Sequence, residues 1–320
     1  CTNGENFKNP KDVDGSSSML DVEAWFLGQT GNSVLSSAMI DGDGQPMNGS
    51  PLIGAGQDVA STVDGSFFDT VDYIGAIPAN SDWRQGWAFG FGGGEVTAPA
   101  VTSSSCPTGT TSITPVDGTT TTCEISGVIT SDLTLTAGNL YALNGPVFVG
   151  NDKADSATLT VEPGVTVYGR DDGAYLVVSR DSKLEANGTA SKPISFTSMQ
   201  DVLGQPTTSG QWGGMVILGN GISNKCPSDG TECALTVEGV EVSAVFGGTD
   251  NADNSGTLRY VRVLNAGKDI SPGNELNGIT FGGVGSGTTI EYLQVHNNLD
   301  DGIEFFGGAV NLKYVVLTSI

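Results

Sequence analysis

Short apolar runs, punctuated by small and polar residues, recur through the second half of the chain. Leu133-Thr-Leu135, Val147-Phe-Val149, Thr158-Leu-Thr-Val161, Val165-Thr-Val167, Tyr175-Leu-Val-Val178, Ile194-Ser-Phe196, Met215-Val-Ile-Leu218 and Leu235-Thr-Val237 all read as strands. Their β-branched and aromatic side chains suit a pleated surface, and the Gly, Asn, Asp and Ser between them suit turns. Helical spacing is confined to Met19-Leu-Asp-Val-Glu-Ala-Trp-Phe-Leu27, where Ser16, Ser17 or Ser18 stands at the cap and Gly28 where a helix stops.

The strand pattern repeats itself near its end. Thr257-Leu-Arg-Tyr-Val-Arg-Val263 matches Thr289-Ile-Glu-Tyr-Leu-Gln-Val295 and then Asn311-Leu-Lys-Tyr-Val-Val-Leu317, which aligns Tyr260, Tyr292 and Tyr314. Gly278-Ile-Thr-Phe-Gly-Gly283 returns 24 residues later as Gly302-Ile-Glu-Phe-Phe-Gly-Gly308, and the Tyr292 to Tyr314 step is 22. A unit of this length holding two or three short strands fits one coil of a parallel β-helix, in which each strand pairs with its counterpart one coil on. An antiparallel sandwich would need hairpin loops of two to five residues, which these tandem pairs do not display. The fold class expected is all-β: a right-handed parallel β-helix preceded by a mixed N-terminal region with one short helix. Three zones follow: 1–97 mixed, 98–122 a Thr-, Ser- and Gly-rich linker, and 123–320 the β-helix.

Composition agrees and charge narrows the partners. Gly is 47 of 320 residues, about twice the usual ~7%. Asp and Glu number 36 against 13 Lys and Arg, a formal net charge of −23. Phosphate backbones and anionic lipid bind through Lys and Arg, so nucleic acid is excluded as a partner. No apolar run approaches the ~20 residues of a transmembrane helix.

Five cysteines bear on the compartment. Cys226 and Cys233 enclose a turn-forming loop, and Cys106 and Cys123 enclose the Thr-rich stretch. Neither pair has zinc-site spacing, and His296 is the only histidine. Disulfides in an exported protein are the better reading. Cys1 is left over. It reads either as the lipidated first residue of a bacterial surface protein or as a cysteine separated from its partner where the chain was cut.

The run Thr158-Leu-Thr-Val-Glu-Pro-Gly-Val-Thr-Val-Tyr-Gly169, with Ser191-Lys-Pro-Ile-Ser-Phe-Thr197, Gln211-Trp-Gly-Gly214, Leu258-Arg-Tyr-Val261 and Asp300-Asp-Gly-Ile-Glu-Phe-Phe-Gly-Gly308, resembles the exported right-handed β-helix proteins of marine and environmental bacteria. The resemblance covers about 125–320 and implies the fold; that family carries no agreed activity. Ser66-Phe-Phe-Asp-Thr-Val-Asp-Tyr-Ile-Gly-Ala76, with Asp82-Trp83 and Gly86-Trp87, resembles the closing segment of such modules, here placed first. The implied order is the end of one module, a linker and the beginning of the next.

Candidate chemistry lies in the carboxylates. Asp12-Val-Asp14-Gly15 and Asp41-Gly-Asp43-Gly44 alternate Asp with Gly as tight oxygen-lined loops do, without the later Glu of an EF-hand. Asp250 with Asp253, and Asp300 and Asp301 with Glu304, are further Ca²⁺ candidates at strand ends; the competing view makes them ordinary turn residues. A polysaccharide lyase would set a base such as Arg259, Arg262 or Lys268 beside Asp250, Asp253 and Asp269. A hydrolase would pair carboxylates such as Asp300, Asp301 and Glu304 across a groove. Trp25, Trp83, Trp87 and Trp212 read either as a sugar platform or as plugs of core ends.

The expected function is structural: an exported β-helix module, secreted or held at the bacterial surface, that joins copies of itself head to tail into a filament or tandem array. In that arrangement Phe67, Phe68, Tyr73 and Ile74 of one copy bury against Val315 and Leu317 of the next. The opposing class is a calcium-dependent polysaccharide-active enzyme or a glycan-binding adhesin.

Overall fold

The computed structural model describes residues 38–56, 67–93, 105–227, 233–240, 244–271 and 274–320. Cys1, Asp12, Asp14, Trp25 and the helix expected over 19–27 lie outside the described residues. Two compact units divide between Trp83 and Arg84. Residues 84–93, which composition groups with the N-terminal zone, therefore belong with the strands.

In the first unit the described residues are tied by short antiparallel bridges, Ile40 to Pro46 and Ile53 to Tyr73. The second unit winds as a right-handed parallel β-helix of three faces. Fifteen strands among the described residues join in one sheet, with nearly every neighbour parallel. One face stacks Leu133–Leu135, Thr158–Val161, Lys183–Asn187 and the first halves of Gly256–Leu264, Thr289–His296 and Asn311–Thr318. The second face runs from the first halves of Thr122–Ile129 and Leu140–Val149 through Thr166–Gly169 and Ile194–Ser198 to the second halves of those three long strands. The third stacks the ends of Thr122–Ile129 and Leu140–Val149 with Tyr175–Val178, Gly214–Leu218, Ile279–Gly282 and Ile303–Phe306.

Alternate residues point inward, and parallel pairing stacks them in rows along the axis. One row is Leu135, Val161, Ala186, Leu258, Ile290 and Leu312; another is Tyr141, Val167, Phe196, Val263, Val295 and Leu317. Up to Ile290 and Val295 the rungs of both rows are buried, each contributing about 1.5–3 kcal/mol for a large aliphatic side chain. Corners use left-handed residues. Tyr260, Tyr292 and Tyr314 turn the three long strands at φ 49°, 55° and 57°. Their rings stack outside the coil at 4.3 and 4.4 Å, 7° and 10° from parallel. At the next corner Asn297 donates through Nδ2 to Asn265 Oδ1 at 2.7 Å.

Two outer faces are covered. A one-turn helix, Met199–Val202, packs against Leu140, Ala142 and Tyr168 on the second face. It is capped by Ser198, whose Oγ accepts the Asp201 N–H, and its single turn leaves no periodicity to read. The antiparallel pair Leu235–Thr236 and Val245–Phe246 forms a flap over Val177, Val216 and Leu218 on the third face.

The stretch expected as a linker is folded over 105–122. Thr111–Ile113 pairs antiparallel with 122–124 and closes the first coil, because the Cys106–Cys123 disulfide draws the two together. At the other end Asn311–Thr318 and Ile303–Phe306 each pair on one side only among the described residues. No helix among the described residues is long and apolar enough to cross a membrane.

Candidate functional site

Both cysteine pairs are disulfides, Cys106–Cys123 and Cys226–Cys233, and point to an oxidising compartment. The second sits at the flap. Arg180, buried beneath it, donates through Nη1 to the carbonyls of Cys233 (3.3 Å) and Gly247 (2.7 Å). Its Nε and Nη2 grip both carboxylate oxygens of Asp152 at 2.7 Å. That pairing holds the Asp152 carboxyl below its ordinary range despite partial burial.

The carboxylates singled out in the sequence fall into separate places. Asp41 Oδ1 accepts the N–H groups of Asp43 (3.0 Å) and Gln45 (2.8 Å), so its carboxylate serves the turn. Asp250 and Asp253 line a groove of about 450 Å³ with Lys153, Asp181, Asn220, Gly248 and Thr249. There Asn220 Nδ2 donates to Asp181 Oδ1 (2.8 Å) and Asp253 Oδ1 (3.0 Å), while Asp250 Oδ1 accepts from the Ala252 N–H. Asn220 thus turns its Nδ2 toward these carboxylates, and Lys153 lines the same groove. Among the described residues no three His, Cys, Asp or Glu side chains converge as a metal site requires.

Asp300, Asp301 and Glu304 lie around the turn into the last strand of the third face. Asn298 Nδ2 donates to the backbone carbonyls of Asp300 (2.9 Å) and Asp301 (2.8 Å). Glu304 Oε2 accepts from Asn277 Nδ2 at 2.6 Å. Burial first, and then the Glu238 carboxylate on the flap, push the Glu304 carboxyl above its ordinary value, with Asp301 and Asp300 adding to the effect. A carboxyl whose surroundings favour the protonated form is the type of group that general-acid chemistry draws on. Glu238, Asn277, Asp181 and Asn220 escape sequence reasoning because their neighbours lie one or more coils away and leave no local spacing.

The cations proposed as lyase bases are engaged elsewhere. Arg259 faces Glu291 in register on the next coil, Nη2 to Oε2 at 2.7 Å. Arg262 is buried, with Nε and Nη2 on Ser195 Oγ at 3.1 and 2.8 Å. Lys268 Nζ meets Asp172 at 2.6 Å. Trp87 and Trp212 are fully buried, Trp212 donating to the Leu264 carbonyl, so these two make no sugar platform.

The residues proposed for assembly are split between the units. Phe68 (44% exposed) and Ile74 (51%) present apolar surface in the first unit, where Phe67 meets Phe68 edge to face. In the second unit Leu317 (43%) and Phe305 (50%) end their inward rows with open flanks, and Phe305 stacks on Phe281 at 5.4 Å. Val315 continues the row of Leu293.

Comparison with curated proteins and with solved structures returns no match. Residues 127–320, more than half the chain, match the model of the pectate-lyase-like β-helix domain, and their three-faced parallel coil with a buried row behind each face is that architecture, so the chain belongs to this β-helix family.

Proposed function

We propose that the protein is a structural module of the cell exterior, a disulfide-stapled β-helix that extends by stacking a further coil on its last one. What supports this reading is the parallel register that repeats from coil to coil, through Thr289–His296 to Asn311–Thr318 and Ile279–Gly282 to Ile303–Phe306, a ladder that a further coil can join by the same pairing. Unpaired N–H and C=O groups beside apolar rungs are a template for strand addition. The covering strand comes from another copy, giving a filament, or from later coils of the same polypeptide, giving a tandem array. A head-to-tail contact between copies is heterologous and propagates. Export fits the two disulfides, and the −23 charge suits solubility in an aqueous exterior. Negative-stain microscopy of the purified chain should show elongated particles, and incubation with acidic polysaccharide should release no shortened chains. Compact monomers at every concentration would overturn the proposal.

A second reading rests on Glu304. Its carboxyl, raised by burial and by the Glu238 carboxylate and held by Asn277 Nδ2 at 2.6 Å, is of the chemical type a polysaccharide-active enzyme uses for acid–base work. Depolymerisation of an acidic glycan that is lost in Glu304→Gln would favour it over the structural role.

A further inference from the structure

Residues 84–93, Arg-Gln-Gly-Trp-Ala-Phe-Gly-Phe-Gly-Gly, form a self-contained hook. The N–H groups of Ala88, Phe91, Gly86 and Gly93 bond to the carbonyls of Arg84, Ala88, Phe91 and Ala88 at 3.0–3.1 Å. The Arg84 guanidinium lies 4.1 Å over the Phe91 ring. A Cβ on Gly93 would stand 2.4 Å from the Ala88 carbonyl oxygen, so only glycine closes the turn. These bonds are all internal to the ten residues.

Its seat lies about two hundred residues further along. Trp87, fully buried, stands edge-on to Tyr260 and Tyr292, at 5.6 and 6.1 Å and 87° and 88°. Phe89 donates its N–H to Gln294 Oε1 at 2.7 Å and accepts from Gln294 Nε2 at 2.9 Å. Its ring lies 4.7 Å from that of His296. One buried aromatic anchor with a two-way amide clasp is the pattern of an interface hot spot. Neither disulfide ties hook to seat.

We infer that this hook is exchangeable: residues 84–93 of one copy seat on the tyrosine ladder of a second copy, making the same contacts. The inference rests on the stacking proposed above and identifies a link between copies. A swapped hook needs no new interface, because hook and seat already match within one sequence. The balance between its own ladder and a neighbour's is then set by effective concentration, which stacking raises.

The test mixes equal amounts of ordinary and ¹⁵N-labelled full-length chain, the former carrying Phe89→p-benzoylphenylalanine, followed by illumination and mass mapping. Adducts joining a light hook to the heavy 289–298 segment should appear, rise with concentration and fall at least tenfold in Trp87→Ala. Light-only adducts at all concentrations overturn the inference. If elongated particles form while adducts stay light-only, the hook idea fails and stacking survives; if no particle exceeds a monomer, both fail. Repeating the experiment with the probe at exposed Gln85 covers displacement of the hook by the bulky ring at 89.

Discussion

Tyr292 occupies a backbone conformation that costs an L-residue about 1–2 kcal/mol, at φ 55°. It is held there by rings on three sides: Tyr260 and Tyr314 stacked at 4.3 and 4.4 Å, and Trp87 edge-on. Aromatic pairs contribute about 0.5–1.5 kcal/mol each beyond burial, enough to offset the strain. Removing the ring while keeping the strain is therefore the worst change. Tyr292→Ala should destabilise by about 2–4 kcal/mol, and Tyr292→Gly by about 0.5–1 kcal/mol less, since glycine adopts positive φ freely. Urea unfolding of the two variants checks this; a more stable alanine variant would refute the strain argument. The neighbouring His296 adds a pH dependence. Burial, with Phe89 against the ring, lowers its pKa below the ordinary 6.5. The unfolded chain then binds the proton more readily, so stability is complete above about 6.5 and falls as pH drops through that value toward the folded pKa. Melting temperatures between pH 7.5 and 5 should decline in the parent and decline less in His296→Gln.

At the scale of elements, the flap rests on apolar residues of the coil beneath it and brings one like charge toward that coil. Burial, and then the Glu238 carboxylate on the flap, raise the Glu304 pKa, so folding favours its protonated form. The sign is opposite to that of His296: this group's stabilisation is present below about pH 4.5 and is lost as pH rises through the folded value. Glu304→Gln keeps an acceptor for Asn277 and removes the charge, so it should raise the melting temperature at pH 7 and leave it unchanged at pH 4. A lower value at pH 7 would mean that the carboxylate is stabilised by a partner. Most elements were legible in the sequence, because alternation and β-branched runs mark strands directly. The tandem repeat also fixes register, as the stacking of Tyr260, Tyr292 and Tyr314 bears out. The covering pieces were hidden. Trp87 is buried only because Tyr260 and Tyr292 arrive far down the chain, and a Gly-rich decapeptide has no period of its own. The Asp181, Asn220 and Asp253 groove draws on separate coils in the same way.

For the molecule as a whole, stacking brings together modules that each carry −23. Their repulsion opposes association and is screened over about 10 Å at 0.1 M salt, whereas burial of apolar rungs is not weakened by salt. End-on contact through Phe305 and Leu317 should therefore strengthen as ionic strength rises from about 0.05 to 0.5 M, the reverse of an assembly held by ion pairs. Both side chains are about half exposed, so replacing them should cost the single module little. Phe305→Glu with Leu317→Glu places two further charges and two polar groups on the stacking face, where no described cation pairs with them. Sedimentation velocity should find this variant monomeric under conditions in which the parent elongates, with an unfolding midpoint within a degree or two of the parent's. Parent-like particles from the double variant would show that the terminal coil is not the contact. Assembly that dissolves as salt is added would show that charge, and not the apolar rungs, holds the copies together.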